Sequence, residues 1–165
     1  FGNSGTAAIG CALSVIGYGL RFILQDANVG VMIAGWTFST LGAGLVGATI
    51  VLNIFDAKVY GEWKTGVNNE AILMSGFSVS YKVGMALGAP IAGYMLMMVP
   101  YVPKAAQQAE SVLRLFFFEN TLLPCVGFII ALFFCFAIRK YEKMLPQMEA
   151  EIEARRHADK SIEQK

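Results

Sequence analysis

The sequence predicts an all-α membrane protein, with four transmembrane helices followed by a charged tail. Three observations point there. Hydrophobic residues make up 56% of the 165-residue chain, above the ~45–50% usual for soluble domains. They gather into four runs, at about 5–24, 29–55, 71–99 and 111–138, each long enough as a helix to cross ~30 Å of hydrocarbon. Charge is segregated as well: residues 1–55 hold only Arg21 and Asp26, while residues 139–165 are rich in both signs. A net charge of +1 gives no basis for nucleic-acid binding.

The first run carries one charge, Arg21, near its end, and the polar Gln25-Asp26-Ala27-Asn28 turn sends the next helix back antiparallel. In the second run small residues recur every fourth position at Gly35, Ser39, Ala43 and Gly47, a stripe that lets another helix approach closely. Trp36, near the start of that run, suits an interfacial belt better than a sugar-stacking platform. Thr49, Asn53 and Asp56 share a face and lead into Asp56 to Glu70, DAKVYGEWKTGVNNE, read as a polar hinge whose Gly61 and Gly66 permit tight turns.

The third run divides into three faces at 100° per residue. Gly76, Ser80, Gly84, Gly88 and Ala92 form a small-residue stripe, and Ile72, Val79, Val83, Leu87 and Tyr94 a bulky face suited to lipid. Ala71, Ser75, Ser78, Lys82, Ala86, Ala89 and Gly93 form a polar face suited to a cavity. Pro90 is expected to kink this helix. A polar loop, 100–110, leads to the fourth run, which contains Pro124 and closes on Arg139-Lys140. In the tail, 141–165, Met144, Met148 and Ile152 recur at helical spacing and Glu151 and Arg155 can pair, so a surface helix fraying towards Lys165 is expected. The lone His157 reads as solvated.

Cys11, Cys125 and Cys135 lie inside apolar runs without CxxC spacing, which fits small apolar filler rather than a disulfide framework or zinc site. The chain opens on Phe1 with no basic stretch before a short apolar core, so a secretory signal is not indicated and a carboxy-terminal piece of a longer protein is expected. Lys58, Lys64, Arg139, Lys140, Lys143 and the tail fall on one side of the predicted bundle, Arg21, Lys104 and Arg114 on the other. The positive-inside rule then places the hinge and tail in the cytoplasm of a multi-pass cell-membrane protein, with residues 1–140 as the bundle and 141–165 as a cytoplasmic helical tail.

Lys82 is the sharpest single signal. It sits ~16 Å along the third helix, beyond the ~6 Å reach of a snorkelling side chain. A lysine at that depth costs about 2.5–3.5 kcal/mol to insert, which favours a functional role. Asp56 lies near the cytoplasmic boundary and Glu119 ~13 Å away in depth, so the counter-charge is expected in the part preceding Phe1. Glu119 and Asn120 fit either water at the outer mouth or a place in the pathway.

The order Asp56, Tyr60-Gly61-Glu62-Trp63-Lys64-Thr65-Gly66, Glu70, then Ser75 and Lys82-Val83-Gly84 resembles the glycoside–pentoside–hexuronide:cation symporters. Phe1-Gly2 with the first run, the Tyr101-Val102-Pro103 to Gln108 loop and the tail from Tyr141 through Pro146 to Arg156 extend the resemblance over nearly the whole chain. It implies the last four helices of a twelve-helix major facilitator fold, with the hinge between the tenth and eleventh. It also implies a cytoplasmic gate at Asp56, Tyr60, Gly61, Glu62, Lys64 and Glu70, and a substrate and cation cavity to which Lys82, Ser78, Tyr81 and Ser75 contribute. The chain departs from the usual pattern at Val59, where a second acid normally stands, and at Asn68, where an arginine is usual.

The function implied is symport of a sugar or glycoside by alternating access, coupled to Na⁺ or H⁺, with membrane lipids and the missing amino-terminal helices as partners. No catalysis and no cofactor beyond the coupling cation are implied. The rivals are a non-transporting four-helix membrane scaffold that oligomerises through its glycine stripes, and a same-fold transporter for another cargo such as lipid. A midplane lysine distinguishes transport from the scaffold.

Overall fold

The computed structural model describes residues 2–24, 28–103 and 107–163, and every regular element among them is α-helical. Phe1, the turn residues Gln25, Asp26 and Ala27, and Lys104 lie outside the described residues. The elements are α1 (Asn3–Leu24), α2 (Val29–Thr65), α3 (Glu70–Met97), α4 (Glu110–Glu142) and α5 (Leu145–Glu163). The first four are long and apolar enough to cross a membrane.

α2 begins at an N-cap, Asn28, whose side-chain oxygen accepts the Val31 N–H at 3.0 Å. It runs for 37 residues, roughly 55 Å at 1.5 Å per residue. That exceeds a hydrocarbon core by about 25 Å, so one end projects beyond the apolar layer. The projecting end includes Asp56 to Thr65, and here the expected hinge is corrected: these residues are the last turns of α2, not a loop. Only Gly66 takes the left-handed conformation, at φ 73°, and its N–H closes the helix on the Glu62 carbonyl at 2.8 Å. Gly61 stays helical. Extending an existing helix needs no new nucleus, and one interior glycine costs only about 1 kcal/mol. The connection to α3 is therefore short, 66–69.

α1 packs on α2 through small residues on both sides. Gly10, Ser14 and Gly17 meet Gly35, Ser39 and Gly42, and the Ser14 hydroxyl donates to the Ser39 carbonyl at 3.2 Å. The approach is backbone to backbone: a Cβ on Gly17 would stand 2.5 Å from the Ser39 nitrogen and 2.7 Å from the Gly35 oxygen. The stripe expected at Gly35, Ser39, Ala43 and Gly47 is thus corrected at its last position, since a Cβ on Gly47 would meet nothing within 4 Å. A strict four-residue row drifts by about 40° per step. Over three steps it leaves the contact, whereas the 35, 39, 42 spacing stays on it.

α4 also packs against α1, with Tyr18 stacked on Phe128 at 6.0 Å and Phe22 on Phe117 at 6.4 Å. It passes through Pro124 without a break and continues past Arg139-Lys140 to Glu142. α3 runs through Pro90 and buries no residue. Leu73 and Phe77 turn towards α1, α2 and α4 around a cavity of about 630 Å³. Ile72 and Gly76 line the same cavity; further along α3 a Cβ on Gly84 or Gly88 would meet nothing within 4 Å, and Val79, Val83 and Leu87 are exposed, so no described element covers the middle of the helix. After a turn at Lys143-Met144 the chain enters α5, which lies against the projecting end of α2 and buries Met148 to 1% exposure.

Candidate functional site

The projecting end of α2 gathers polar groups from all five helices. Asp56 accepts a hydrogen bond from the Asn3 side chain of α1 at 3.0 Å. Lys58 pairs with Glu70, the first residue of α3, at 2.6 Å. Glu142 at the end of α4 accepts from the Ser4 hydroxyl and from its backbone N–H. Glu62 pairs with Arg156 of α5, and the Trp63 indole N–H donates to Glu151 at 2.7 Å. Tyr60 meets the Tyr141 ring edge-on at 5.1 Å, and the Lys64 ammonium lies 5.9 Å from the centre of the Tyr60 ring.

A cavity of about 340 Å³ opens beneath this network, walled by Ile138, Leu145 and Ala57 and edged by Asn53, Asp56, Tyr60, Tyr141 and Glu142. The ion pairs are at least partly exposed: Lys58 and Glu70 keep 23% and 43% of their side-chain surface. Such pairs are worth about 0–1 kcal/mol each. A set of weak pairs joining several helices can be broken and remade at little cost, as an element that changes between two states requires.

Of the residues singled out for this end, Asp56, Tyr60, Glu62, Lys64 and Glu70 come together, and Gly61 sits among them inside the helix. Several of their partners were not singled out from sequence: Asn3, Ser4, Glu142 and Arg156, and Lys58 as the mate of Glu70. One signal pointed to the tail. Met148 and Ile152 at helical spacing need an apolar partner, and the projecting part of α2 supplies one.

The second candidate region is the middle of α3. Lys82 is the thirteenth of its 28 residues. Ser75, Ser78 and Lys82 are exposed, Tyr81 is 61% exposed, and the Tyr81 ring lies 6.2 Å from Phe77. Ser75, Ser78 and Lys82 are thus aligned but not enclosed among the described residues, with Tyr81 on the flank nearer Phe77. Glu119 is half-buried on α4, and Asn120 donates back to its own helix at Phe116. At the far end of the bundle the guanidinium of Arg21, itself 5% exposed, stands 5.1 Å from the centre of the Trp36 ring. One face of the Trp36 ring thus carries a cation.

Helices of this length, joined backbone to backbone through glycine and serine with apolar side chains turned outward, belong to a multi-pass membrane protein. The chain belongs to the MFS/sugar transport protein family, whose pattern matches residues 1–140. It is 34% identical to an isoprimeverose transporter of Lactiplantibacillus pentosus, over 97% of this chain and 33% of that protein. A candidate exporter of 2,3-dihydroxypropane-1-sulfonate from Salmonella typhimurium is 32% identical over 95% of this chain and 34% of its own length. A glucuronide carrier protein homolog of Escherichia coli is 26% identical over 90% of this chain and 33% of its own. The chain therefore spans about a third of the length of the curated relatives it matches. No solved structure matches it. The resemblance to glycoside–pentoside–hexuronide symporters read from the Asp56–Gly84 pattern is borne out by these relatives.

Proposed function

We propose that this chain forms the last four helices of a twelve-helix symporter that carries a sugar or glycoside with Na⁺ or H⁺ by alternating access. The observation that supports it most is the match of nearly the whole chain to a sugar transporter. In this reading Lys82, Ser78, Tyr81 and Ser75 face the midplane cavity, where substrate and ion bind between two helical halves. The open faces of α3 would pack on helices that precede α1. Asp56, Tyr60, Gly61, Glu62, Lys64 and Glu70 form the cytoplasmic gate, its pairs exchanging as the halves rock. The basic residues around that end and α5 support a cytoplasmic position for both.

The sulfonate relative supports a second reading, in which the cargo is a small hydroxylated anion. Lys82 would then balance the anionic group of the cargo rather than bind a neutral hydroxyl. The scaffold and lipid-cargo readings draw no support from these relatives.

Uptake by vesicles holding the full-length protein tests the proposal, with isoprimeverose, a glucuronide and 2,3-dihydroxypropane-1-sulfonate as probes and an imposed Na⁺ or H⁺ gradient. Gradient-driven accumulation of a glycoside is expected; accumulation of the sulfonate alone selects the second reading, and no flux of any probe rejects both. Orientation has its own test. A cysteine at Lys64 is expected to react with an impermeant maleimide only from the cytoplasmic face, and one at Tyr101 only from outside. The reverse pattern overturns the topology.

A further inference from the structure

The last turns of α2 are held from outside the bundle by α5. Trp63 is the centre of this contact. Its indole N–H donates to Glu151 at 2.7 Å, and its backbone carbonyl accepts from the Arg155 guanidinium at 3.0 Å. Arg155 and Glu151 face each other across one helical turn at 3.9 Å, so the two groups that hold Trp63 are themselves paired. One residue earlier, Glu62 is paired with Arg156 and keeps only 12% of its side-chain surface. Met148, 1% exposed, anchors the near end of α5.

The carbonyl of Trp63 is one of the last four of α2, which have no partner within the helix. A guanidinium placed there both satisfies it and favours the negative end of the helix dipole. Polar, glycine-containing helix ends with no such partner fray readily. The Lys58–Glu70 pair then ties the secured end of α2 to the start of α3.

We propose that Glu151, Arg155 and Arg156 are positioning residues. α5 clasps Trp63 and Glu62, keeps Asp56 to Thr65 helical, and so sets where the α2–α3 connection stands. The consequence for transport rests on the gate reading of Asp56 to Glu70. The tail moves with the end of α2 as one unit, and losing the clasp slows the gate without touching the substrate site.

Hydrogen–deuterium exchange of the full-length protein in lipid nanodiscs, without substrate, tests the clasp. The double variant Glu151→Ala, Arg155→Ala is expected to speed exchange of amides 60–66 about three- to tenfold while amides 35–49 are unchanged. Glu62→Arg is expected to speed the same amides, and adding Arg156→Glu to restore them. For a probe the wild type carries, the double variant is expected to lower Vmax by a similar factor with KM unchanged. Unchanged exchange at 60–66, an equal rise at 35–49, or faster exchange with unchanged Vmax overturns the proposal. A wild type that carries no probe removes the transport reading and leaves exchange to decide the clasp.

Discussion

Lys82→Ala in the full-length protein is expected to abolish gradient-driven accumulation while the protein still reaches the membrane at near-normal level. The lysine stands midway along α3, exposed on a face with Ser75 and Ser78. In the proposed whole transporter that face lines the cavity, and the ammonium balances a carboxylate from the preceding helices or a group on the cargo. Removing one member of a buried charged pair costs about 3–5 kcal/mol, so accumulation should fall on the order of 100-fold or more. Abundance should hold, because deleting a midplane cation also removes an insertion cost of about 2.5–3.5 kcal/mol. Val79→Ala, on the bulky face and 61% exposed, is the control. Uptake and membrane abundance are measured side by side. Normal accumulation by Lys82→Ala removes the residue from the mechanism, and equal defects in both variants dissolve the assignment of the faces of α3.

Gly42→Leu is expected to cost the protein its fold. A Cβ at Gly42 would meet the Gly10 carbonyl and the Ser14 hydroxyl, and would stand 2.6 Å from the Ser14 backbone nitrogen. Backbone cannot rotate away as a side chain does, so α1 and α2 must separate along the whole seam and the Ser14 to Ser39 hydrogen bond is lost. Overpacking of this kind costs about 1–3 kcal/mol and occasionally more. In lipid no hydrophobic force restores the contact, because helix association there depends on close packing itself. Gly44→Leu, on the same helix with nothing within 4 Å, is the comparison. The readout is the melting temperature and yield of the detergent-purified full-length protein. A Gly42→Leu variant as stable as Gly44→Leu would mean that the two helices do not meet along this seam.

Sequence alone determined the four spans, because a run of about 20 apolar residues in helix matches the thickness of hydrocarbon whatever its neighbours. The Asp56–Gly84 pattern likewise identified the family, since spacing along the chain needs no coordinates. Tertiary structure decided the rest. That Asp56 to Thr65 is helix rather than loop came from the structure, where the Trp63 carbonyl near its end accepts from Arg155, some ninety residues away. Local composition, with Gly61 and mixed charges, read as a hinge. Gly42 rather than Gly47 meets α1 because the crossing of two helices, not the periodicity of one, selects the contact row. Which groups pair at the end of α2 was hidden for the same reason: Asn3, Lys58, Glu142 and Arg156 look like solvated polar residues until the helices that carry them converge.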